Sequence, residues 1–156
     1  MLLLLVGIAD LGRLYNTVVA VESAAREAAD YGSFAASNWT PVNIPVTVDE
    51  MRLRACTAAA GSHLQDYETT DPANDATCTN PTFTCTLERN GASVDCATSG
   101  GFTNGVDCSD PTTEPACTVH VRMDYQFRLL LAIPPFPMSI DFSRCSSFRI
   151  SDLTPP

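Results

Sequence analysis

The sequence predicts an α+β protein. It has a long, projecting N-terminal helix, a second short helix packed on a small antiparallel sheet, and disulfide-stapled loops. Three observations predict this. No proline occurs before Pro41, and the run that opens the chain is apolar. Residues 117–127 alternate apolar and polar side chains, the period of a half-buried strand. Seven cysteines occur in 156 residues, most of them in a turn-rich middle. The expected organisation is an assembly helix over 1–36, a linker over 37–46 and a globular part over 47–156. A cysteine-rich insert occupies about 62–117.

The N-terminal helix changes character along its length. Leu2, Leu3, Leu4, Leu5, Val6, Ile8 and Leu11 make its first half apolar on every side, as in a membrane span or the core of an assembly. Asp10 and Arg13 are the only charges in residues 1–21, and their i,i+3 spacing lets them neutralise each other. A helix reaching residue 36 would be about 50 Å long. A domain of this size cannot bury that length, so part of it must project. About 20 apolar residues cross a bilayer, and 1–21 just suffices if the charge pair is tolerated. The second half is amphipathic. Ala20, Ala24, Ala28 and Gly32 recur every four residues, a stripe that lets another helix approach closely. That helix belongs either to a neighbouring subunit or to the chain's own domain. A removable signal peptide is disfavoured, because no basic residues precede the apolar run and the helical pattern continues past Ala20.

Pro41 and Pro45 are incompatible with a helix interior, so they mark the linker. Asn38-Trp39-Thr40 is a sequon, making Asn38 a candidate glycosylation position. The second helix is expected at Thr47, where Thr47 and Glu50 form a capping box. Met51, Leu53, Cys56, Ala59 and Ala60 supply its inward face, and Gly61 ends it.

Residues 82–88 and 93–97 read as strands joined at Asn90-Gly91, the dipeptide that best tolerates the two positive φ values of a type I′ turn. Across such a turn, paired positions have numbers summing to 181. Cys85 and Cys96 satisfy this, so they lie opposite each other at a separation that suits a disulfide. Cys108 and Cys117 could staple the following loop. Cys56, Cys78 and Cys145 remain; pairing Cys56 with Cys145 would tie helix to sheet, a choice that spacing alone leaves open. Seven is odd, so one thiol is free or bonds another chain. No C-x-x-C occurs and the histidines are His63 and His120 alone, which favours disulfides and an oxidising compartment over a metal site.

In 117–127, Val119, Val121, Met123, Tyr125 and Phe127 form the apolar side. An apolar bend over 129–137 follows, with Pro134, Pro135 and Pro137. A last strand over 139–150 carries Ile140, Phe142 and Ile150. An apolar hairpin tip of this kind marks a contact surface.

Composition excludes other roles. The net charge is -9, and the basic residues are nine arginines with no lysine, which leaves no basic patch for nucleic acid. The sequence contains no G-x-S-x-G, H-E-x-x-H or Gly-rich phosphate loop, so no enzyme is expected. His120 falls on the polar side of its strand beside Arg122 and Asp124, a solvated position. No cofactor is expected. Asp66, Asp71 and Asp75 offer oxygen ligands for calcium, but without EF-hand spacing, so a solvated loop is the default.

Gly7-Ile8-Ala9-Asp10-Leu11-Gly12-Arg13-Leu14-Tyr15, followed by Glu22-Ser23-Ala24-Ala25-Arg26-Glu27-Ala28-Ala29-Asp30-Tyr31-Gly32, resembles the TadE-like family. These are pilin-like proteins of tight adherence (Tad/Flp) pilus systems, related to type IV pilins. The strand, Leu/Pro bend and last strand near the C-terminus are similar in style; the middle, 62–117, is not covered. Where the family carries a glutamate, position 5 is Leu5, so its subunit-registration role transfers to no residue here. The resemblance implies leader processing by a prepilin peptidase and insertion in the cytoplasmic membrane before assembly. Its implied partners are other copies of the chain, the membrane and the pilus assembly machinery, with no nucleic acid. Three function classes follow. The chain is a subunit polymerising into an extracellular adhesive filament, a minor membrane-anchored pseudopilin, or an anchored adhesin presenting the cysteine-rich insert. Asp10 with Arg13, costly in an apolar core unless paired, is the candidate for subunit register.

Overall fold

A computed structural model describes residues 2–34, 36–70, 77–96, 106–110, 112, 114–130 and 138–151. Among the described residues, two α-helices and two antiparallel sheets make up the fold. Helix α1 spans Leu2–Ser33, 32 residues or about 48 Å. It ends where the Ser33 hydroxyl turns back to the Asp30 carbonyl at 2.7 Å. A 3-10 turn, Ala36–Trp39, leads to helix α2, Ile44–Gly61.

Helix α2 begins three residues before Thr47, and the capping box does not form. Asn43 occupies the N-cap without a side-chain capping bond, its amide donating instead to the Ser37 carbonyl at 3.0 Å, and Pro45 sits in the first turn, where its missing N–H has no partner to lose. Thr47 is buried, and its hydroxyl donates to the Asn38 and Asn43 carbonyls at 3.0 Å each. The segment expected as a linker, 37–46, contributes two side chains to the core, while Ser37, Pro41, Val42, Asn43, Pro45 and Val46 are exposed. Trp39 and Ile44 are buried, and the Trp39 indole N–H donates to the Gly32 carbonyl at 2.8 Å. Met51, Cys56 and Ala59 face inward, while Leu53 and Ala60 are half-buried.

Strands β1 (Glu68–Thr69) and β2 (Cys78–Asn80) form a small ladder. The main sheet contains β3 (Thr82–Arg89), β4 (Ala92–Asp95), β5 (Thr118–Arg128) and β6 (Ser139–Arg149), in the order β4-β3-β5-β6. Asn90 and Gly91 have φ of 53° and 79°, and the register pairs Leu87 with Val94 and Glu88 with Ser93, as the two-residue turn requires. In β5 the side chains of Val119, Val121, Met123, Tyr125 and Phe127 are buried, and those between them face outward. That inner side receives α1, which lies along β5 and β6. Helix α2 packs mainly on α1 and reaches β3 through Arg52, whose guanidinium sits over Phe83.

Three disulfides staple the fold: Cys56–Cys78, Cys85–Cys96 and Cys108–Cys117, with Cα separations of 5.5, 5.4 and 5.6 Å. Cys56 therefore bonds Cys78 and not Cys145. Strand parity explains the correction. Cys145 pairs with Arg122 in the β5–β6 register, on the solvent side of the sheet, and its thiol is free and exposed. Cys56 is buried on the helix side, within reach of β2. Arg89 secures the loop before β5 by donating to the carbonyls of Asp107 and Pro115.

Candidate functional site

The assembly helix presents two unlike faces. Toward the sheet and α2 it turns Val21, Ala24, Ala25, Ala28 and Ala29, all fully buried. Away from them, Leu4, Leu5, Ile8, Leu11, Tyr15 and Val19 are between 49% and 69% exposed. Leu4, Ile8, Leu11, Tyr15 and Val19 follow i, i+3/i+4 spacing and form one stripe. Val6 is partly covered, and for Leu2 and Leu3 the backbone alone is described. Beyond Val19 the outer face becomes polar: Ser23, Arg26, Glu27 and Asp30 are exposed, and Arg26 pairs with Glu22 at 3.1 Å. A stretch of α1, Leu4–Ser33, contains a window long and apolar enough to cross a membrane by length and composition.

The small-residue stripe faces inward. Ala24 and Ala28 are fully buried and Ala20 is partly buried. A Cβ built on Gly32 would lie 2.8 Å from the Met51 thioether sulfur. The helix that approaches this stripe is thus the chain's own α2. Small side chains suit this side of α1, which packs against both the sheet and α2.

Asp10 and Arg13 are also committed within the chain. Arg13 Nη1 lies 2.7 Å from Asp10 Oδ1, and both Asp10 oxygens accept the backbone N–H of Leu130 at 3.2 Å. The Arg13 guanidinium rests over the Phe127 ring, 5.0 Å from its centroid. Asp10, 7% exposed, therefore fastens α1 to the end of β5. Sequence reading missed Leu130 as its partner. The available signal was the bend itself, whose backbone N–H groups need acceptors once they leave the ladder.

The remaining candidates lie elsewhere. Asn38 sits in the 3-10 turn beside buried Trp39, and its carbonyl is taken by Thr47. Asp66 Oδ2 accepts the Arg128 N–H at 2.9 Å; Asp71 and Asp75 lie outside the described residues, as does the proline-rich part of the bend. Among the described residues no cluster of three or more His, Cys, Asp or Glu could hold a metal ion. On the outer face of the sheet, His120 meets Ser147 Oγ at 2.7 Å and Glu88 at 3.2 Å. The Asp124 carboxylate, hydrogen-bonded to Arg122, raises the Arg122 pKa further, and burial pushes the Tyr125 phenol above its ordinary value. Arg122 and Asp124, with Glu68, Arg128 and Asp141, line a shallow groove of mixed charge.

Residues 1–30 match the TadE-like protein family, which places the match on α1 up to Asp30. The helix that bears the two faces is therefore the part of the chain that is similar to TadE-like proteins. Neither the curated proteins nor the solved structures contain a match to the chain.

Proposed function

We propose that this chain is a structural, pilin-like subunit. Its α1 anchors it in the membrane and then joins the α1 helices of neighbouring subunits in an extracellular, adhesive pilus-like filament. The observation that carries this reading is the exposed apolar stripe from Leu4 to Val19, without a partner among the described residues, on a helix that its own sheet covers on another face. Full burial of one such side chain contributes about 1.5–3 kcal/mol, so five of them in water are a strong incentive to find lipid or another helix. The subunit need not unfold to do so, because the stripe points away from the core. The polar turn beginning at Glu22 would mark the boundary between bundled helix and exposed domain. A contact between unlike surfaces that does not close on itself extends into a helical filament. Three disulfides suit a domain that works outside the reducing cytoplasm.

The family match favours a second reading, a minor membrane-anchored pseudopilin that helps assemble a pilus made of another protein. Composition separates the two. Surface filaments are sheared from cells carrying the chain, imaged by electron microscopy and weighed by mass spectrometry. The polymer reading expects this chain as the dominant component. Filaments made of another protein, with this chain in trace, would replace it with the pseudopilin reading.

A further inference from the structure

Strand β6 borders the main sheet. It is 11 residues long, contains neither proline nor lysine, and pairs with β5 without a bulge. A long, regular edge of this kind is a template for another strand. The direction of its backbone groups is fixed at both ends: Leu129 N–H donates to the Met138 carbonyl and Ile150 N–H to the Cys117 carbonyl. Even-numbered residues therefore turn their N–H and C=O groups to β5. Asp141, Ser143, Cys145, Ser147 and Arg149 turn theirs to the open edge. Among the described residues no other strand pairs with that edge. Arg144 Nη1 donates to the Ser143 carbonyl at 3.2 Å, which leaves that oxygen a second lone pair.

The sequence of β6 is complementary to itself about Cys145. When two copies run antiparallel with Cys145 opposite Cys145, Asp141 faces Arg149, Phe142 faces Phe148, Ser143 faces Ser147 and Ile140 faces Ile150. Opposite charges and aromatic rings directly across a ladder stabilise it. Sliding one strand by two residues loses both pairings: one way Arg144 faces its own copy, the other way Arg149 faces Ser143. Asp141 and Arg149 are exposed. Their contacts within the chain, to Gln126 and Glu114, are surface contacts that cost little to exchange. The phenylalanines are half-buried on the helix side, where Phe148 borders a groove beside Arg26, Glu27 and Asp30. The chain already bridges a hydrogen-bonded cross-strand pair of this type: Cys96 N–H donates to the Cys85 carbonyl at 3.1 Å, and their Cα atoms are 5.4 Å apart.

We propose that β6 docks on β6 of a second copy of this chain, antiparallel and in the register centred on Cys145. The contact is isologous, the same surface serving both copies. Antiparallel pairing reverses strand direction, and α1 runs along β5 and β6, from Asp10 beside Leu130 to Ser33 beside Ser151. The apolar starts of the two α1 helices therefore point to opposite ends of the pair. With α1 in its proposed role, the contact links subunits of two filaments or two membranes, not neighbours in one. The pairing itself does not rest on that role.

The test uses the full chain with its three disulfides intact, in dodecyl maltoside micelles that cover α1. One sample carries Cys145→Ser with Ser143→Cys. A second, labelled with heavy isotopes, carries Cys145→Ser with Ser147→Cys. The two are mixed equally and oxidised with glutathione disulfide. Each new S–S bond takes two protein thiols and reduces one glutathione disulfide to two glutathione thiols. Mass spectrometry of the linked peptides identifies the positions joined. Links from position 143 of one chain to position 147 of the other are expected at least tenfold above links joining like positions. A statistical mixture of the three links, or no link, would overturn the proposal and leave the reading of α1 standing. Adding Arg149→Asp to both samples should lower the yield at least fivefold by setting like charges opposite each other. Adding Asp141→Arg as well should restore it; a yield that neither change moves would refute the register.

Discussion

Between Val21 and Ser33, α1 buries Ala24, Ala25, Ala28 and Ala29 completely, whereas between Leu4 and Val19 its outer stripe of Leu, Ile, Tyr and Val remains open. The larger side chains lie where fewer partners of the same chain are present. Small residues occupy the half that is packed twice, against the sheet and α2, because close approach leaves no room for more. Large apolar residues occupy the half whose second face has no partner among the described residues. That face has more hydrophobicity than its own fold uses, which points to a partner outside the chain.

Substitutions that act on one half alone sharpen this contrast. The largest expected effect is that of Trp39→Ala, which empties a fully buried site and removes the hydrogen bond to Gly32. A loss of about 3–5 kcal/mol is expected in urea denaturation. A loss under about 1 kcal/mol would mean that the segment after α1 does not hold its second half. Next comes Cys56→Ser with Cys78→Ser, which frees the buried side of α2 from β2. About 3 kcal/mol is expected. Exposed Cys145→Ser is the matched control and should change stability by no more than about 0.5 kcal/mol. Ala28→Leu forces volume into the doubly packed face, with an expected loss of about 1–3 kcal/mol by thermal melting.

Asp10→Ala acts at the junction of the two halves. It leaves the Leu130 N–H without its acceptor, for about 1–3 kcal/mol at that site. Hydrogen exchange should show loss of protection at Leu130 while β5 amides in the ladder stay protected. Leu11→Glu should have the smallest effect on folding, within about 0.5 kcal/mol, because the position is exposed. It should nevertheless abolish membrane binding and assembly. An Ala28→Leu protein that melts normally, or a Leu11→Glu protein that does not fold, would reverse the roles of the two halves.

Much of this contrast is legible in the sequence, for identifiable reasons. Strand parity is local, so the alternation through Phe127 and the pairing of Cys85 with Cys96 follow from spacing alone. The exposed start of α1 follows from a helix too long for the domain. Tertiary choices are less accessible. Ala20, Ala24, Ala28 and Gly32 announce close helix packing but not whose helix, and Met51 of α2 settles that. Pro45 reads as a helix breaker, yet in a first turn it is compatible with α2, which therefore starts at Ile44. The partner of Cys56 depended on which side of the sheet Cys145 faces, and that follows from the β5–β6 register. Asp10 looked like half of an isolated ion pair because its second partner is a backbone N–H far along the chain.

The most direct test of the central claim is photo-crosslinking in assembled material, with a benzophenone side chain placed either at Leu11 or at Ala28. On the proposed reading, the outer stripe of α1 meets other chains or lipid, and the inner stripe meets only its own fold. Position 11 is therefore expected to give adducts between chains or with lipid, and position 28 adducts within the chain to α2 or the sheet. Adducts between chains from position 28, with none from position 11, would contradict it.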